Sequence, residues 1–96
     1  MFLDQMRKNR DSILALSHRY GARHIRVFGS VARGEDGPDS DVDVLVVFPP
    51  GYDLFRQRLP LTGGLQALLG RPVELVPEHE LNRHMRDRIL KEAVDL

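Results

Sequence analysis

Residues 41–48 read Asp-Val-Asp-Val-Leu-Val-Val-Phe and run straight into Pro49-Pro50-Gly51. The β-branched, mostly apolar run favours a strand, and the two prolines with the glycine stop it. Side chains two apart on a strand leave the same face. Asp41 and Asp43 therefore point one way, while Val42 and Val44 point the other and anchor the strand in a core. The chain is committed to a sheet that carries two carboxylates at the start of a strand, beside a turn that a ligand can reach.

The flanking segments supply the rest of the architecture. His24-Ile25-Arg26-Val27-Phe28 alternates as a strand does, and Gly29 ends it. Before it, Phe2, Met6, Ile13, Leu14 and Leu16 follow a helical rhythm up to Tyr20, with Gly21 as the C-terminal stop. Residues 31–33 read as the first turn of a short helix cut off by Gly34, and residues 35–40 as a turn around Gly37-Pro38-Asp39. Asp53 is placed to cap a helix over residues 54–59, which Pro60 should break or kink. Residues 61–69 repeat at helical spacing, weakened by Gly63-Gly64, and Gly70 closes them. Val73-Glu74-Leu75-Val76 is a third strand, and Pro77 leads into a last helix through Leu81, Met85, Ile89, Leu90 and Val94. This order predicts an α/β fold: a small mixed sheet with three core strands, covered by helices.

Ninety-six residues predict one domain over 1–96, near the lower end of what folds alone, and 42% apolar residues suffice for its core. Fourteen basic and fourteen acidic side chains cancel, which leaves no broad footprint for nucleic acid or an anionic membrane. The absence of cysteine excludes disulfides, thiolate metal sites and a cysteine nucleophile. No signal-peptide stretch and no membrane-spanning apolar run is visible, so a soluble, cytoplasmic protein is expected. The small core suggests that a partner completes part of the surface.

Two neighbouring carboxylates repel each other, and one takes up a proton unless a cation sits between them. Hard oxygen ligands favour Mg²⁺ or Mn²⁺, ions that also bind substrate phosphates. Upstream, Gly29-Ser30 follows a strand and opens a helical turn, where glycine allows close backbone approach, serine adds a hydroxyl and free N–H groups favour an anion. Either motif alone is more often a plain turn or a solvated strand edge. Together, with ten residues between Ser30 and the Asp-x-Asp pair, they form the equipment of phosphoryl or nucleotidyl transfer.

Three other motifs fail. Gly29 and Gly34 have Walker spacing, but Glu35-Asp36 replaces the required Lys-Ser/Thr. Asp39, Asp41 and Asp43 open like an EF-hand, yet Val44 stands where glycine is needed and Pro50 where the final glutamate belongs. His79 and His84 are five apart, not the four of a zinc-protease helix. These two, with His18 and His24, read as surface or helix-end residues.

Gly29-Ser30-Val31-Ala32-Arg33-Gly34-Glu35 followed by Ser40-Asp41-Val42-Asp43-Val44-Leu45-Val46 resembles the signature of the polymerase-β-like nucleotidyltransferase superfamily. The Ala-Arg-Gly-Glu extension and the short length resemble its minimal nucleotidyltransferases, the antitoxins found beside HEPN-domain ribonuclease toxins. Tyr20-Gly21-Ala22, Leu68-Leu69-Gly70 and the closing Arg88-Ile89-Leu90-Lys91-Glu92-Ala93-Val94 share in the resemblance. It implies that fold, with Asp41, Asp43 and a third strand carboxylate, Glu74, holding one or two Mg²⁺ ions. Gly29 and Ser30 would grip the phosphates of ATP. An incoming hydroxyl would attack the α-phosphorus, with Ser30, Asp41, Asp43 and Glu74 as the catalytic set. The family usually carries aspartate at the third position, and glutamate places its carboxylate a bond length or more away; otherwise Glu74 is a charged residue on a sheet edge. Arg33 contacts phosphate or partner, or is a solvated helix residue. Glu35 and Asp36 shape the turn.

The resemblance implies AMP transfer from ATP to a hydroxyl, a tyrosine, of a HEPN toxin, in a hetero-oligomer with that toxin. A non-catalytic antitoxin that blocks the toxin by binding, or adenylylation of a small-molecule hydroxyl, are the alternatives. Polymerase or tRNA-tailing activity is disfavoured, because domains that hold nucleic acid directly are missing from the sequence.

Overall fold

The computed structural model describes residues 1–96. Strands β1 (Arg23–Phe28), β2 (Val42–Val47), β3 (Val73–Pro77) and β4 (Val94–Asp95) form one sheet in the order β3-β2-β1-β4. β1 is antiparallel to β2 and β4, whereas β2 and β3 run parallel. The mixed sheet thus has one strand more than the expected three. The extra strand comes from Val94, read above as helical. The last helix, α5 (Arg83–Glu92), stops at Glu92, and the chain returns so that Val94 pairs with Val27 and Asp95 with Arg26. The unpaired edge of β1 offers backbone partners to these residues, a non-local gain that periodicity cannot reveal.

One face of the sheet is fully covered. Ile25, Val27, Val44, Val46 and Leu75 pack with Met6, Ile13, Leu61 and Leu65 from helices α1 (Phe2–Lys8), α2 (Arg10–Arg19) and α4 (Leu59–Leu69). The other face holds a smaller cluster of Phe28, Leu45 and Ile89 beneath α5, with Val76 and Ala93 beside it. By strand alternation Asp43 and Glu74 belong to this second face, two residues before Leu45 and Val76.

The helices depart from the sequence reading in three places. The leading helix is two helices, because the Asn9 side chain donates to the Gln5 carbonyl at 3.0 Å while the Asn9 carbonyl accepts from Ile13 at 3.0 Å. Asn9 ends one helix and starts the next, as asparagine's competition for backbone groups allows. Pro60 does not break the middle segment either. Residues Leu54–Arg58 form a π-helical turn capped by Asp53, whose carboxylate accepts from Phe55 and Arg56 at 3.0 Å each. This turn runs into α4, where Pro60 sits in the first turn and its missing N–H costs little. Gly63-Gly64 is continuous helix, and Gly64 serves close packing: a Cβ there would lie 2.9 Å from Leu16 Cδ2. At the other end Pro77 belongs to β3, residues Glu78–Glu80 make a 3₁₀ turn, and Asn82 caps α5 by accepting from the His84 N–H at 2.8 Å. No helix is long and apolar enough to cross a membrane.

The loop leading to Asp41 is pinned from outside. Arg71 donates to the Asp36 carboxylate at 2.8 Å and to the Gly37 carbonyl at 3.1 Å, and its guanidinium lies 3.8 Å over the Phe2 ring. Ser40 Oγ accepts from the Gly37 N–H at 2.8 Å. Asp36 therefore shapes the turn, as its position suggested. Arg71→Ala leaves the little-exposed Asp36 carboxylate unpaired and is expected to lower unfolding free energy by about 2 kcal/mol, measured by urea unfolding.

Candidate active site

Phe28, at the end of β1, pairs with Asp43 across the sheet. Gly29 follows with φ +72° and opens the short helix α3 (Gly29–Arg33), which Gly34 closes. Glycine is needed at position 29 on two counts. Its φ lies in the left-handed region, and a Cβ would fall 2.0 Å from Asp43 Oδ2. The Asp43 carboxylate thus fills the space beside the glycine turn.

Glu74 is the register partner of Asp43 on the parallel strand β3. Burial pushes the Asp43 carboxyl up to about 6, aided by the charge of Glu74, a hydrogen bond with it, and the charges of Asp41 and Glu92. Every one of these influences raises it. Asp41 is exposed, one residue before β2, and acts on Asp43 through its charge. No three Asp, Glu or His side chains gather about one point. The donors are instead a facing pair, Asp43 and Glu74, with Asp41 nearby. Mg²⁺ is commonly held in this way, through one or two carboxylates with phosphates and water completing its shell, so the residues fit that ion.

Ser30 is half-buried in the first turn of α3, and its hydroxyl makes no hydrogen bond within the chain; its carbonyl accepts from the Glu35 N–H at 2.9 Å. Arg33 is held rather than solvated free: it donates to Glu35 at 3.0 Å and to Glu92 at 2.5 Å. Glu92 in turn accepts from the Gly29 N–H at 2.8 Å. Burial raises the Glu92 carboxyl, but the Arg33 and Gly29 hydrogen bonds and the charges of Arg33 and Arg88 outweigh it and hold the group below its ordinary value.

Gly29, Arg33, Asp43, Glu74, Arg88 and Glu92 line one cleft of about 430 Å³ between the sheet and α5. Ser30 and Asp41 lie outside its lining. A larger concavity of about 900 Å³, around His18, Arg23 and Pro49, contains no carboxylate and shares no residue with it. The sequence reading named Arg88 and Glu92 only within the closing segment of the resemblance and gave them no role in the site. Their spacing of four on a helix was visible, but such pairs are ordinary on helix surfaces. Only the packing of α5 over the sheet turns them toward Gly29 and Asp43.

Residues 10–96 match the family model described as a nucleotidyltransferase domain, and the chain belongs to that family. It is a nucleotidyltransferase of the minimal type. It is 43% identical over 79 residues to the protein adenylyltransferase MntA of Thermococcus cleftensis, covering 82% of this chain and 79% of that protein. A solved structure described as a minimal nucleotidyltransferase superposes with a TM-score of 0.87 at 44% identity, over 100% of this chain and 97% of the other. A toxin–antitoxin structure with AMP-PNP shares the fold, with a TM-score of 0.76 at 22% identity over 91% of this chain and 71% of that one.

Proposed function

We propose that this chain transfers AMP from ATP to a hydroxyl of a cognate HEPN-type toxin, a tyrosine, and so acts as its antitoxin. The observation that carries the reading is Asp43, half-buried against Gly29 and opposite Glu74 in a cleft that also presents Arg88. The protein adenylyltransferase MntA among its relatives and the toxin–antitoxin complex with AMP-PNP among its fold neighbours support the choice of nucleotide and partner.

Asp43 and Glu74, with Asp41, would hold Mg²⁺, one ion or two, which supplies charge neutralisation for the triphosphate. Gly29 lets the phosphates approach the turn closely, its own N–H being held by Glu92, and Ser30 and Arg33 orient them. The acceptor oxygen bonds to the α-phosphorus as the bond to the bridging oxygen of the β-phosphate breaks, and pyrophosphate leaves. The hydroxyl proton passes to a strand carboxylate, the role suited to Glu74.

The test is to incubate the chain with α-labelled ATP, Mg²⁺ and the protein product of the adjacent reading frame. Label is expected on the partner and lost in Asp41→Asn. Protection of the partner without label, unchanged in that variant, would replace transfer with steric blocking. A pH series gives a further expectation. In the metal-free chain Asp43 gains a proton as pH falls through about 6, and Mg²⁺ must displace that proton to bind, so AMP transfer falls toward lower pH. In the metal-free chain, Glu74→Gln removes a charge that raises Asp43, and the Asp43 carboxyl, followed by carbon-13 NMR, should titrate at lower pH than in the wild type.

A further inference from the structure

Glu92 ends α5, 63 positions from Gly29, with its side chain only 20% exposed. One carboxylate oxygen accepts from the Gly29 N–H at 2.8 Å and the other from Arg33, so a single side chain ties the first and last residues of α3 together. Gly29 has no side chain with which to fix its own left-handed turn. The hydrogen bond from Glu92 supplies an anchor from a distant part of the chain. The anchor is itself held: immediately after Glu92 the chain is stitched to β1 by the Val94–Val27 and Asp95–Arg26 pairs.

Building on the AMP-transfer reading, we propose that Glu92 is a positioning residue for the nucleotide phosphates. It locks the Gly29-Ser30 turn and aims Arg33, leaving the Ser30 hydroxyl free. The rival role, in which the carboxylate occupies the phosphate position and must swing away, makes the opposite prediction for its removal: tighter nucleotide binding.

The test uses the full-length chain with Glu92→Ala and Glu92→Gln, and measures equilibrium binding of AMP-PNP with Mg²⁺, KM and kcat separately, and the Gly29 amide resonance. Alanine is expected to weaken AMP-PNP binding and raise KM about tenfold, with a smaller change in kcat. Glutamine keeps a carbonyl oxygen for the Gly29 N–H and is expected to restore most of the affinity and the Gly29 resonance. If the alanine variant does not fold, the glutamine variant decides: affinity within about threefold of wild type supports the anchor, and a larger loss overturns it. Alanine binding as tightly as wild type, or tighter, overturns positioning, the tighter result pointing to a competing carboxylate. Equal weakening in both variants also overturns it. Failure of the wild-type chain to bind AMP-PNP would overturn the AMP-transfer reading itself, and this inference with it.

Discussion

Replacing Asp43 by asparagine is expected to lower AMP transfer by at least about a thousandfold, because metal-ion stabilisation of transition-state charge amounts to several kcal/mol. In the metal-free chain at pH 8 the same change should raise the melting temperature. The carboxyl titrates near 6 in the folded chain against 3.8 as its ordinary value, so burial disfavours its charge. Between those values the folded state holds a proton that the unfolded state lacks, and stability rises as pH falls from about 6 toward 4. Above that window the folded chain carries the full cost of a buried charge, which asparagine removes. The stabilisation should therefore be largest at pH 8 and vanish below about pH 4, where Asp43 is protonated in both states. Thermal unfolding across this range, beside labelled AMP transfer, checks both halves. Asp41→Asn is the comparison: at an exposed position it should lose activity without comparable stabilisation. A lower melting temperature for Asp43→Asn at pH 8 would contradict the account.

Gly29→Ala is expected to reduce AMP transfer about a hundredfold while costing only about 1–2 kcal/mol of stability. The stability cost comes from the left-handed φ of +72°. The rate cost comes from the new Cβ, 2.0 Å from Asp43 Oδ2 and 3.0 Å from its Cγ. Asp43 has a short side chain with no slack, so the carboxylate must rotate out of place. Gly51→Ala separates the two effects. Gly51 has φ +79° and nothing within 4 Å of its built Cβ, so it should show a similar loss of stability and an unchanged rate. Urea unfolding and steady-state kinetics on both variants decide it. Equal rates for Gly29→Ala and wild type would mean that Asp43 has room that the packing denies.

The candidate site was legible where it is local. Gly29 and Ser30 lie at a strand-to-helix turn, and Asp41 and Asp43 alternate with the core-facing valines, so period and spacing identify both motifs. Glu74 was reached through resemblance to a known family, and the strand register places it opposite Asp43. Glu92 and Arg88 lie in the closing segment that shares the resemblance, but no signal in the sequence assigned them a role in the site. On a helix an arginine four residues before a glutamate means nothing until the helix is docked.

The fold divides in the same way. Strand periodicity and the stops at Gly29 and Pro49-Pro50-Gly51 by themselves determined β1, β2 and most of β3, together with the α/β class, because these depend on neighbours in the chain. The break at Asn9, the π turn over Leu54–Arg58 that runs into α4 at Pro60, the use of Gly64 for contact with Leu16, and Val94–Asp95 as a fourth strand were decided by the tertiary structure. Each depends on a partner distant in sequence or on a backbone alternative of nearly equal energy, and packing selects between such alternatives. For the pair that defines the site, sequence alone put Asp41 and Asp43 beside a glycine turn. Only the assembled sheet and α5 set Asp43 into the space that Gly29 leaves open, and closed Glu92 over the turn.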